Sequence, residues 1–198
     1  PISTHLRKEE TQYILENCNA KLFIGSDKLA AVAQELIGDI PAIEHFYMVN
    51  GVRAGFESWE QATAEQPTTP IADESLGTGM LYSSGTTGQP KGVLAATLSE
   101  DLHEESPVLA GFAAMFGFDS DTLYLSPAPL YHAAPLHYNN MVLALGGTTV
   151  IMEKYDPERG LQLIQEHKIT HSQWVPIMFV RMLKLEESIR NKYDCSSL

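Results

Sequence analysis

Between Ser83 and Gly92 the chain concentrates groups that can hold an anion. Hydroxyls stand at Ser83, Ser84, Thr86 and Thr87, glycines at Gly85, Gly88 and Gly92, and an ammonium at Lys91. Glycine lets the backbone take φ > 0 and bring its N–H groups close to a ligand. Successive N–H groups in such a turn form a concave nest for anions. The hydroxyls add donors, and lysine adds a compact positive charge. Together these suit a polyphosphate. An ordinary solvated turn uses the same small residues, but the Pro90-Lys91-Gly92 ending favours phosphate. The spacing excludes two better-known loops. A Walker-type P-loop needs Gly-Lys-Ser/Thr, whereas Gly92 follows Lys91 here. A dinucleotide fingerprint starting at Gly77 and Gly79 would need glycine where Tyr82 stands.

Short β-rich runs alternating with helical periods supply the elements that must carry this loop. Helices are expected over Arg7–Asn17, Asp27–Ile37 (with Asp27 as cap), Ser58–Gln66, within Glu104–Phe116 (beginning near Ser106-Pro107), Leu136–Leu145, Asp156–His167 and from Pro176 toward Ser188. Strands are expected over Lys21–Ile24, Ile43–Val49, Gly79–Tyr82, Gly92–Ala96, Leu123–Ser126, Thr148–Met152 and Ile169–Val175. The fold class implied is α/β, a mostly parallel sheet with helices on both faces. Ligands of such sheets lie beyond the carboxyl ends of strands. The loop after Tyr82 and the Pro129–His132 turn after Leu125 are both expected there.

Composition narrows the partners. The 198 residues include 13 basic and 25 acidic side chains, for a net charge of −12. That balance disfavours nucleic acid and anionic membrane surfaces. Two cysteines, Cys18 and Cys195, suggest neither a disulfide framework nor a metal site. They fit a reducing, cytoplasmic compartment. No run approaches the length of a membrane span.

The segment Leu81-Tyr-Ser-Ser-Gly-Thr-Thr-Gly-Gln-Pro-Lys-Gly-Val93 closely resembles the phosphate loop of the adenylate-forming superfamily. That superfamily comprises acyl-CoA synthetases, luciferases and the adenylation domains of peptide synthetases. The resemblance implies that Ser83, Ser84, Gly85, Thr86, Thr87, Gly88 and Lys91 hold the β- and γ-phosphates of ATP. One departure follows: many members continue with Ser/Thr-His, where this chain has Leu94-Ala95-Ala96-Thr97. Pro129-Leu130-Tyr131-His132-Ala133-Ala134-Pro135 resembles the Pro-Leu-Phe-His element lining the acyl-adenylate pocket, with Pro135 where many members have Gly. Gly146-Gly147-Thr148-Thr149-Val150, Asp156-Pro157 and Thr170–Leu183 resemble the elements that come next, as Pro1–Gly25 resembles the start.

On this resemblance residues 1–198 are a single incomplete N-terminal (AMP-binding) domain. The magnesium-binding Glu and the small C-terminal domain with its catalytic Lys lie outside it. The implied activity is that of an acyl-CoA synthetase. It activates a small-molecule carboxylic acid, fatty acids foremost, as acyl-AMP and transfers the acyl group to CoA. Its needs are ATP, Mg2+ and CoA; a homodimer is compatible. The isolated chain is expected to be inactive. Lys91 and His132 are the candidate catalytic residues, and Tyr131, His132 and Trp174 the candidate substrate-binding ones. A merely packed His132 and a core Trp174 are the plain alternatives. His137 has no third ligand at metal spacing. At the level of function, a luciferase-like or amino-acid-adenylating enzyme and a non-catalytic nucleotide- or acyl-binding module both stay open.

Overall fold

The structure is a computed structural model and describes residues 1–75, 77–83, 89–94 and 106–198. The chain packs as two compact units, Ile2–Glu104 and Glu105–Leu198.

The first unit opens with α1 (Lys8–Asn17), whose Ile14 and Leu15 are buried. β1 (Leu22–Ser26), α2 (Ala30–Gln34) and β2 (His45–Val49) follow. β3 (Glu57–Ser58) completes a parallel three-stranded sheet of order β1-β2-β3. Leu15, Leu36, Ile40 and Ile43 form one core cluster, and Ala30, Ala33, Met48 and Phe56 another. α3 (Trp59–Ala64) is capped by the Ser58 hydroxyl, which accepts from the Gln61 N–H at 3.3 Å. The long helix expected from Asp27 is cut short. A 3-10 turn at Asp27–Leu29 precedes α2, and Leu29 leaves helical geometry at φ −116. Asp27 makes no cap, because its carboxylate accepts from the Arg53 guanidinium at 2.5 Å instead.

β4 (Met80–Ser83) and β5 (Lys91–Leu94) pair with each other as an antiparallel ribbon, not as members of a parallel sheet. The expected place of this loop at a parallel strand end is therefore corrected. The cause is length: a parallel return needs a crossover of about a dozen residues or more, while a short loop permits only a hairpin.

The second unit begins with α4 (Pro107–Phe116), capped by Ser106 and ended by Gly117 at φ 70. β6 (Leu123–Ser126), α5 (Ala133–Ala144), β7 (Thr148–Ile151), α6 (Pro157–His167), β8 (His171–Ser172), α7 (Pro176–Leu183) and α8 (Glu187–Arg190) follow. β6 is the middle strand of a parallel sheet of order β7-β6-β8. Successive side chains on β6 point to opposite faces. Tyr124 packs with Phe118 and with Val142 of α5. Leu125 packs with Met152, Ile169 and with Leu163 and Ile164 of α6. Helices thus cover both faces, as the α/β reading requires. The strand expected over Ile169–Val175 shrinks to His171–Ser172. Thr170 spends its hydroxyl on the Leu123 N–H at 3.0 Å, and Pro176 already opens α7. No helix of the described residues is long and apolar enough to cross a membrane. Both cysteines are free and half-buried.

Candidate functional site

Ser84, Gly85, Thr86, Thr87 and Gly88 lie outside the described residues. The base of their loop does not. In the β4–β5 register Ser83 faces Lys91, Tyr82 faces Gly92 and Leu81 faces Val93. Directly opposed residues share one face of a ribbon. One exposed hydroxyl and one exposed ammonium therefore flank the mouth of the loop together.

The other face of the ribbon is anchored. The Tyr82 hydroxyl donates to Asn17 Oδ1 at 2.6 Å, at the end of α1. Burial pushes the Tyr82 phenol above its ordinary value. To reach Asn17 the ring crosses over Gly92. A Cβ there would meet Met80 Cε at 2.4 Å, Tyr82 Cζ at 3.1 Å and Asn17 Oδ1 at 3.2 Å. A side chain at position 92 would thus crowd its cross-strand partner Tyr82 and Asn17. Sequence reasoning gave the glycine to the loop and missed Asn17, since nothing in the sequence pairs residues 65 apart.

Tyr131 and His132 sit on the connection from the carboxyl end of β6 to α5. The His132 N–H donates to the Pro129 carbonyl at 3.2 Å and closes a turn, and the His132 carbonyl accepts from Leu136 at 3.3 Å. His132 is the N-cap residue of α5 but makes no side-chain capping bond. Its exposed ring lies 4.5 Å from the half-buried Tyr131 ring, tilted by 50°. Pro135 falls in the first turn of α5, where a backbone N–H has no intrahelical partner to lose. The departure from Gly therefore leaves the helix start intact.

Trp174 lies just past β8 on the opposite face, against the Leu125 cluster. Its ring is edge-on to Tyr155 at 6.0 Å. A Cβ on Gly160 of α6 would come within 3.4 Å of the indole. The Tyr155 hydroxyl donates to the Met178 carbonyl at 2.8 Å, and Arg181 stacks 4.8 Å above the Tyr155 ring. Of the neighbours Gln173 and Trp174, the tryptophan packs against this layer. The structure thus brings Ser83 and Lys91 together in one unit, and Tyr131 and His132 together in the other. Trp174 stands on a different face of the β6 sheet from the α5 contacts.

Below the Tyr131–His132 turn is a polar pair that sequence reasoning passed over. Ser126 and Asn139 are buried, at 1% and 3% exposure. Asn139 Nδ2 donates to Ser126 Oγ at 2.8 Å and to the Pro135 carbonyl at 2.7 Å. Asn139 Oδ1 has no hydrogen-bond partner among the described residues. The available sequence clue was periodicity: Pro135, Asn139 and Val142 fall on one helical stripe, and all three are buried.

Among the described residues no group of three His, Cys, Asp or Glu side chains could hold a metal ion.

Comparison with known proteins adds the following. A family model described as AMP-binding enzyme matches residues 1–198. The chain is 29% identical over 216 residues to a 3-[(3aS,4S,7aS)-7a-methyl-1,5-dioxo-octahydro-1H-inden-4-yl]propanoyl:CoA ligase of Mycobacterium tuberculosis, covering 100% of this chain and 40% of that one. It is 24% identical to a long-chain-fatty-acid–CoA ligase of Thermus thermophilus, covering 92% of this chain and 34% of that one. Its structure matches the anthranilate CoA ligase AuaEII, solved with anthranoyl-AMP, at a TM-score of 0.77 and 24% identity, covering 100% of this chain and 38% of that one. The last likeness shows the fold. The chain spans 40% or less of the length of these relatives.

Proposed function

The chain belongs to the AMP-binding enzymes, and from that premise we propose that it is part of an ATP-dependent acyl-CoA ligase. Residues 1–198 form the N-terminal part of its AMP-binding domain. The reaction has two steps. A carboxylate oxygen of the acid attacks the α-phosphorus of ATP, and the bond to the bridging oxygen of pyrophosphate breaks. The CoA thiol, losing its proton, then attacks the acyl carbon of the acyl-AMP and expels AMP.

The observation that carries this reading is the Ser83–Lys91 pair across the ribbon, framing a loop of glycines and hydroxyls. Phosphoryl chemistry asks the protein mainly for positioning and for charge neutralisation on the leaving group. The Lys91 ammonium and the hydroxyls of Ser83, Ser84, Thr86 and Thr87 supply both, with Gly85 and Gly88 letting amides approach. Tyr131 and His132 take the acyl side and orient the acid. Trp174 would contribute to the pocket from a position packed against Tyr155. The acid is carboxylic, with a fatty acid the first choice. The named relatives span a bicyclic propanoate and a long-chain acid, so the screen should too. The free thiols Cys18 and Cys195 fit a cytoplasmic setting.

The test uses the full-length protein and acid-dependent exchange of pyrophosphate into ATP. Octanoate, palmitate, 4-coumarate and an amino-acid set are the substrates. Exchange with an acid, followed by AMP release only when CoA is added, is the expected result. Lys91→Ala should lower exchange by about 100-fold, as loss of one charge-stabilising donor does. Unchanged exchange in that variant, or exchange with amino acids alone, overturns the assignment.

A further inference from the structure

We infer that Asn139 is a positioning residue that sets the place of Tyr131 and His132, and through them the fit of the acid. The inference rests on the ligase reading above. One carboxamide holds both ends of the connection that bears the two rings. Its Nδ2 hydrogens go to Ser126, the last residue of β6, and to Pro135, in the first turn of α5. The Pro129 to His132 turn lies between those two anchors. The orientation of the amide is fixed by chemistry, because the Pro135 carbonyl can only accept.

What makes a purely structural role a poor account is the other amide atom. Asn139 Oδ1 is buried without a hydrogen-bond partner among the described residues. A half-satisfied buried carboxamide is a worse stabiliser than an apolar side chain of the same shape. The asparagine costs stability at this place, and what it supplies is a defined distance between strand end and helix start. With Ser126 made apolar as well, the fold by itself would do as well with leucine.

That contrast gives the test. In the full-length enzyme, Asn139→Leu combined with Ser126→Ala, which leaves no buried hydroxyl orphaned, should melt no lower than wild type. Its KM for the acid should rise about tenfold, within the range expected when a reacting group is misplaced by a fraction of an ångström to one ångström. KM for ATP should stay within about twofold. His132→Ala should raise the acid KM in the wild-type background and add little in the double-variant background, since coupled residues are non-additive. A double variant that melts well below wild type with an unmoved acid KM overturns the inference and leaves the ligase reading standing. Additive effects of His132→Ala and the double variant also overturn it. Should the wild-type enzyme activate no acid, the ligase reading fails by itself. A crystal structure of the double variant then judges the positioning alone: a His132 shift of about 1 Å sustains it, and a superimposable turn refutes it.

Discussion

Gly147, inside the Gly146-Gly147-Thr148 run that precedes β7, offers a sharp test of how tightly the second unit is built. A Cβ at Gly147 would stand 2.8 Å from Val142 Cγ1, 3.0 Å from the Thr122 carbonyl oxygen and 3.1 Å from the Val142 carbonyl oxygen. None of these can retreat cheaply. Val142 is fully buried. The Thr122 carbonyl accepts from the Thr148 N–H at 2.8 Å, and the Val142 carbonyl from the Gly147 N–H at 2.9 Å. Forcing a methyl into such a site costs about 1–3 kcal/mol. Alanine returns about 0.4–1 kcal/mol by restricting the unfolded chain. The difference is a net loss of about 1–2 kcal/mol. For a chain of this size that lowers the thermal midpoint by about 2–8 °C. The assay is thermal and urea unfolding of Gly147→Ala beside Gly77→Ala, where no atom of the described residues lies within 4 Å of the added Cβ. A midpoint for Gly147→Ala equal to that of wild type or of Gly77→Ala, with an unchanged urea slope, refutes the argument.

Two further outcomes are expected. Asp156→Ala removes the cap at the start of α6, where the carboxylate accepts from the Arg159 N–H at 2.8 Å; urea unfolding should show a loss of about 1 kcal/mol. Burial raises the Tyr124 phenol above its ordinary value of 10.0. The folded state therefore binds that proton more tightly than the unfolded state does. The stability tied to it is complete below pH 10.0 and is lost as pH rises beyond that value toward the folded one. Urea midpoints between pH 9 and 12 should fall more steeply for the wild type than for Tyr124→Phe, and parallel curves would contradict this.

The elements that could be read from the sequence are those with their own local chemistry. Ser106-Pro107, Asp156-Pro157 and Ser58 start helices by capping, and each does so in the structure. Leu123–Ser126 runs as expected because alternation on a doubly covered strand leaves little freedom. What could not be read depends on partners far along the chain. Asp27 was a plausible cap until Arg53 claimed it. β3 has two residues and exists only because Tyr47 and Met48 pair with them. The β4–β5 ribbon was legible as two strands, but not as antiparallel to each other. At the site, hydroxyls, glycines and lysine announced a phosphate loop by type and spacing. Asn139 did not, because Asn139 and Asn140 look alike in a sequence, and only packing buries the first and exposes the second.

The crossing of Tyr82 over Gly92 onto Asn17 has a practical corollary. A β-hairpin alone has little to fix its pitch and roll, and a two-stranded ribbon is barely stable in isolation. Here one phenol–amide bond, admitted by one missing methyl, moors the ribbon to the helix beside it. The smallest portable piece of this loop is therefore not the hairpin. Anyone transplanting residues 80–94 into another scaffold must bring along the last turn of α1, or the loop will arrive without its seat.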